Sequence, residues 1–155
     1  MDMSENFSFT IEAQSEAADT KYVWQMLARF NANISGDDHH QVLNVMARDA
    51  DGAIRGGLLG NTYWGWLHVE ILCVQEELRS HGVGSRLLQA AEAEALRRGC
   101  SYSHLDTFEF QAPGFYQKRG YVVFGELEGL PPGHRRIFLR KDLVPAKKDS
   151  STAAG

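Results

Sequence analysis

Apolar residues change their period several times along the chain, and each change marks a new element. "FSFTIEA" (7–13) alternates apolar and polar positions, as a half-buried strand does. "SEAADTKYVWQMLARF" (15–30) switches to helical spacing through Tyr22, Met26 and Phe30. After the polar stretch "NANISGDDHH", the runs "QVLNVMA" (41–47) and "AIRGGLLG" (53–60) flank "RDADG". An Asp-Gly pair between apolar runs predicts a hairpin. A second turn at "YWGW" leads into "WLHVEILCV" (66–74), the most apolar strand of the sequence.

The clearest helix is "VGSRLLQAAEAEALRR" (83–98). Val83, Leu87, Ala91 and Ala95 recur every fourth residue with Leu88 beside them. Arg97 and Arg98 suit the negative end of its dipole, and Gly99 is a good stop. There follow "YSHLDTF" (strand), "APGFYQKRG" (short helix), and "YVVFGEL" and "RRIFLRKDL" (strands joined by "EGLPPGH"). The order predicts an α+β domain with a central mixed sheet, mostly antiparallel and flanked by helices. A connection as long as the 83–98 helix implies that strands 66–74 and 102–108 run parallel. One domain over 1–143 is expected, with the small polar tail 144–155 disordered.

Composition narrows the function. Sixteen Lys and Arg against twenty Asp and Glu give a net charge of −4. Nucleic-acid binding needs a clustered basic face, so no nucleic-acid partner is expected. "HRRIFLRKDL" alternates its charges with apolar residues and reads as a strand with one wet face. No run reaches the ~18 apolar residues of a membrane span, and the first residues lack a signal peptide's basic and apolar regions. A cytoplasmic protein without membrane attachment is expected. Cys73 and Cys100 form neither a CxxC pair nor a disulfide framework, and the six histidines lack metal-ligand spacing. His39-His40 is read as a solvated pair. No metal is expected.

"LRSHGVGSRLL" (78–88) gives up side chains where a helix nucleates. The first turn of a helix carries unpaired N–H groups and the positive end of the dipole, and glycine lets a phosphate approach them. A dinucleotide fold would need a third glycine where Arg86 or Gln89 stands; a P-loop would need a lysine after the glycines. Both readings fail on these details. The segment instead resembles the [QR]-x-x-G-x-[GA] motif of the GNAT N-acetyltransferase superfamily, through Arg79, Gly82 and Gly84. "APGFYQKRGY" is similar to that family's A-x-x-x-Y-x-[KR]-x-G-[FY] segment, through Ala112, Tyr116, Lys118, Gly120 and Tyr121. The resemblance extends from about residue 7 to 143.

The resemblance implies a GNAT fold and acetyl-CoA as co-substrate. Its pyrophosphate would be held by Arg79, Ser80, His81, Gly82, Val83, Gly84 and Ser85. The backbone of Leu72, Cys73 and Val74 would pair with the pantetheine arm, the Leu72 N–H polarising the thioester carbonyl. Tyr116 matches the tyrosine that protonates the departing thiolate. The chain departs from the family at His81, where a basic residue or glycine is common, and at Glu109, where many members carry Asn.

Acetyl transfer needs a neutral amine, and a lysine-like amine is protonated at pH 7 by a margin of about 4–5 kcal/mol. A base must take that proton. Sorted by period two, Leu67, Val69, Ile71 and Cys73 form one apolar face of strand 66–74. Trp66, His68, Glu70 and Leu72 form the other. Glu70 is the leading general base and His68 the second; a structural ion pair is the other use for Glu70. The same parity puts Cys73 in the core, favouring direct transfer over an acetyl-cysteine. For the acceptor, Trp64 and Trp66 offer aromatic walls, and Glu126 and His134 are placed in loops that could face it. The expected acceptor is a primary amine of a small molecule. A non-catalytic acyl-CoA sensor or partner-binding module, and a protein lysine or N-terminal acetyltransferase, are the alternatives. The resemblance leaves room for a homodimer.

Overall fold

A computed structural model describes residues 7–144, in two compact units, the first ending at Asp38 and the second beginning at His39. The tail expected to be disordered lies, apart from Val144, outside the described residues. In the first unit, helix α1 (Ala17–Ser35) starts after Glu16, whose carbonyl accepts the Asp19 and Thr20 N–H groups. Gly36, with φ at 74°, stops it. Residues 7–13 form no strand, contrary to their alternation. Phe9 and Ile11 are fully exposed there, so alternation without a paired neighbour did not make a ladder.

The second unit is built on a six-stranded sheet in the order β1-β2-β3-β4-β6-β5. Its strands are β1 (Gln41–Arg48), β2 (Ile54–Tyr63), β3 (Trp66–Val74), β4 (Tyr102–Phe108), β5 (Val122–Glu128) and β6 (Arg135–Asp142). Helix α2 (Val83–Arg97) crosses over from β3 to β4, the single parallel pair, and α3 (Pro113–Gln117) precedes β5. The expected mixed, mostly antiparallel α+β sheet is therefore observed.

The core lies between the sheet and α2. Leu87, Leu88, Ala91 and Ala95 on the buried stripe of α2 meet Leu58, Leu67, Val69, Leu105 and Leu139 from the strands. Truncating one such leucine to alanine costs about 2–5 kcal/mol. Polar ties fix the helix ends. Glu94 accepts hydrogen bonds from both Arg97 and Arg98, and Arg98 reaches the Val42 carbonyl at 3.1 Å and Thr62 Oγ1 at 3.2 Å. Nearby, Tyr121 donates to Glu92 at 3.0 Å, which also receives Lys141 at 2.7 Å.

Two irregularities of β3 shape the site. Leu59 pairs with Ile71 but Gly60 pairs with Val69, so Glu70 is an extra residue, a β-bulge. Gly60 is required there, because a Cβ would collide with the His68 carbonyl. Beyond Val69, β3 also stops pairing with β4, although β3 runs on to Val74 and β4 to Phe108. The two strands part and leave a cleft between them.

The bulge overturns the parity expected for the second half of β3. Leu72 and Val74 pack against the core, whereas Ile71 is half exposed and Cys73 is exposed with a free thiol. One unpaired residue shifts every later side chain to the other face. Cys100 is buried.

Candidate active site

Between the parted strands lies a cavity of about 950 Å³. One wall is β3 from Val69 to Val74, another is β4 at Leu105, Asp106 and Thr107, and α3 adds Phe115 and Tyr116. The floor at one end is the loop before α2, with Arg79, Ser80, Gly82, Gly84 and Ser85.

That loop has the geometry of an anion cradle. Ser80 and Gly82 take left-handed backbone conformations, φ 65° and 80°, which curl the chain just before α2 begins. No side chain caps the N-terminus of α2, so its first N–H groups point out unpaired by any cap. Where a Cβ would stand on Gly82, nothing described lies within 4 Å, which leaves room for a phosphate against the backbone. Arg79 adds a guanidinium, steadied by the Val74 carbonyl at 3.4 Å. His81 turns back on the loop: its Nδ1 lies 2.8 Å from the Arg79 carbonyl, which can only accept, so Nδ1 carries a proton. Neither His81 nor Val83 lines the cavity, and Val83 packs against the core.

One basic residue of this end escaped the sequence reading. Arg119, just past α3, lines the cavity with its guanidinium 3.7 Å above the Phe115 ring. It donates to Ser85 Oγ at 3.0 Å and to the Phe115 carbonyl at 2.7 Å. It sits inside the second motif, between Lys118 and Gly120, at a position the motif leaves open.

At the other end of the cleft the bulge presents Glu70. Asn61, on the neighbouring strand, donates to Glu70 Oε1 at 2.5 Å. His68 lies two residues back; its ring stacks on His104 at 4.5 Å with the planes 5° apart. Burial, and next the neighbouring His68, push His104 below the usual histidine range, so it stays neutral at pH 7. Tyr116 is buried in the cleft wall, and burial, helped by the charge of Asp106, pushes its hydroxyl up to about 12. The phenol therefore keeps its proton at any physiological pH. Asp106, itself held by Arg136 at 2.6 Å, is a second cleft carboxylate.

Glu126 and His134 stand apart from the cleft. His134 and Arg135 both bind Glu109, at 3.1 and 2.9 Å, and Arg135 also binds Glu126 at 2.9 Å. The Arg135 and then the His134 hydrogen bond hold the Glu109 carboxyl below the usual range. Glu109 is thus committed to this ion-pair cluster and does not line the cavity. His134 touches the site only through Phe110, whose ring lies 4.9 Å away. Trp64 and Trp66 line a separate pocket. No group of three or more His, Cys, Asp or Glu suited to a metal occurs among the described residues. No described helix is long and apolar enough to cross a membrane.

The sequence profile of the acetyltransferase (GNAT) family matches residues 5–121, three quarters of the chain. The chain belongs to the GNAT acetyltransferase family. An acetyltransferase of Agrobacterium fabrum, Atu2258, is 33% identical over 134 residues, 86% of this chain and 98% of that protein. A blasticidin-S acetyltransferase of Streptomyces morookaense is 45% identical over 93 residues, 59% of this chain and 68% of that one. A crystal structure from Agrobacterium tumefaciens superposes with a TM-score of 0.82 at 32% identity, covering 88% of this chain and 99% of that one. This GNAT chain is an acetyl-CoA-dependent acetyltransferase, and the α2 cradle and the parted strands fit the co-substrate the family uses.

Proposed function

We propose that this enzyme acetylates the primary amine of a small molecule by direct transfer from acetyl-CoA. The observation that carries the reading is the bulge, which sets the Glu70 carboxylate in the same cavity as Tyr116 and the phosphate loop. Arg79, Ser80, Gly82, Gly84 and Ser85, with Arg119, hold the pyrophosphate through backbone N–H groups and two guanidinium charges. Leu72 to Val74 lie on the free edge left where β3 leaves β4, so their backbone is available to pair with the pantetheine arm. The Leu72 N–H then stabilises negative charge developing on the thioester oxygen.

Glu70 takes the proton that the attacking amine must lose. Asn61 orients it by donating to Oε1, which leaves the other carboxylate oxygen for the substrate. His68 is the second candidate for this step. Tyr116, protonated because its hydroxyl is raised, gives a proton to the departing thiolate. The exposed thiol of Cys73 makes a covalent acetyl-enzyme a real competitor, which parity alone had dismissed. Direct attack is favoured because no histidine or other base pairs with Cys73 among the described contacts, whereas Glu70 and Asn61 form a prepared base.

A small-molecule acceptor is supported by the relative named for blasticidin S. The test is coenzyme A thiol release on a panel of small primary amines beside lysine and N-terminal peptides. Turnover of the small amines is expected. Turnover of peptides alone would contradict the acceptor class.

A further inference from the structure

A second pocket, of about 460 Å³, opens at the start of β3, the end of that strand away from the phosphate loop. Its lining is Tyr63, Trp64, Trp66, His104, Phe124 and Arg140. Four of the six are Tyr, Trp or Phe, and Tyr63 meets Trp64 edge-on at 6.1 Å. Trp66 stacks on Tyr102 at 4.7 Å, His104 meets Trp66 edge-on at 5.8 Å, and the Tyr63 hydroxyl lies 3.2 Å from His104 Nε2.

Trp64 is the feature that folding does not explain. Tyr63 pairs with Trp66, so Trp64 and Gly65 are the whole turn of the β2–β3 hairpin, with φ 45° and 76°. Positive φ at both positions is the type I′ pattern, whose first position favours Asn, Asp or Gly. A bulky indole in the left-handed region is a genuine outlier. It is not compensated by burial, since Trp64 is 45% exposed. A strained residue that gains little from the fold points to a ligand contact.

Charge decides what kind of ligand. Aromatic walls alone would suit a quaternary ammonium. Here Arg140 already lies over Trp66 at 5.1 Å and over Tyr102 at 5.7 Å, so a second cation would be repelled. No carboxylate is in the lining; Asp142 binds Arg140 from outside it. The pocket shares no lining residue with the cleft, but both lie along strand β3. His104 lines the pocket and stacks on His68, two residues before Glu70 on the same strand. At the rise of a strand, Trp66 and Glu70 are about 13 Å apart and His68 and Glu70 about 7 Å.

We propose that this pocket receives a planar, uncharged or anionic aromatic ring of the acceptor, joined to its amine by a spacer of about 10 Å. The inference rests on the amine-transfer reading and names the substrate class of that site. Its test uses three primary amines with the same spacer, ending in phenyl, methyl or trimethylammonium. Each is followed by thiol release and, separately, by calorimetric binding in the presence of coenzyme A. The phenyl amine should exceed the methyl amine in kcat/KM by about ten-fold, and the trimethylammonium amine should gain nothing. Trp64→Asn relieves the turn, so its Tm should equal or exceed that of the native protein while the phenyl preference disappears. Phe124→Ala should reduce that preference too. A phenyl-to-methyl ratio near one, a preference for the trimethylammonium amine, or a ratio that survives Trp64→Asn would overturn the inference. If no amine is turned over, the transfer reading fails and binding judges the pocket. Phenyl-dependent binding lost in Trp64→Asn upholds it, and equal binding of all three overturns it.

Discussion

In the proposed transfer, Glu70 and Tyr116 divide one proton transfer problem between opposite chemistries. The carboxylate is exposed to the cleft and oriented by Asn61; the phenol is buried and kept neutral. Because its hydroxyl is raised to about 12, Tyr116 stays an acid well beyond the working range. The activity of the native enzyme should therefore show no alkaline fall assignable to this group below about pH 10. Tyr116→Phe should lower kcat by at least about ten-fold, read by thiol release under saturating acetyl-CoA. An unchanged kcat would remove Tyr116 from the chemistry. At this scale the sequence disclosed residue types but not their neighbours. Glu70 and Tyr116 were legible, from strand parity and a motif. Asn61 and Arg119 were not, because the contacts that tie them to the site run to Glu70 on the next strand and to Ser85, 34 residues away.

Among the elements, β3 decides most. Its limits, 66–74, and the parallel partner across α2 followed from apolar patterning and connection length. The bulge did not, since an inserted residue leaves an apolar strand apolar. Its effect was to reverse the expected faces of Ile71, Leu72 and Cys73. The trace it leaves in sequence is indirect: Gly60 on β2, where only a missing side chain lets the backbones approach. Gly60→Ala should cost roughly 1–3 kcal/mol in urea unfolding, since the obstacle is backbone and cannot rotate away. It should also depress activity by moving Glu70. A stable, fully active Gly60→Ala would show that the bulge does not set the base. Segment 7–13 fails for the opposite reason, having strand periodicity but no ladder.

The whole molecule adds a pH dependence of stability that no single element contains. Burial pushes both Tyr116 and Tyr121 upward, and Glu92 adds to the shift at Tyr121. Below the ordinary tyrosine pKa of 10.0 both states of the chain keep these protons and stability is complete. Above it the unfolded chain releases them first, so stability declines from pH 10 toward about 12. Glu94 acts in the other direction: Arg97 and then Arg98 hold its carboxyl down at about 2, from 4.5. Its contribution is present above pH 4.5 and is lost as the pH falls toward 2. The urea midpoint should fall at both extremes, and Tyr116→Phe should flatten the alkaline side. A midpoint constant from pH 9 to 11 would contradict the burial of these phenols.

The proposed direct transfer turns on Glu70 as its base. Its most direct test is kcat/KM for a small primary amine with Glu70→Gln, measured from about pH 6 to 9 while coenzyme A still raises Tm. A loss of about 10²–10⁴-fold at pH 7, with no acetylated enzyme seen by intact mass spectrometry when the amine is withheld, is the predicted result. Full activity across that range, or an acetyl group trapped on Cys73, would contradict it.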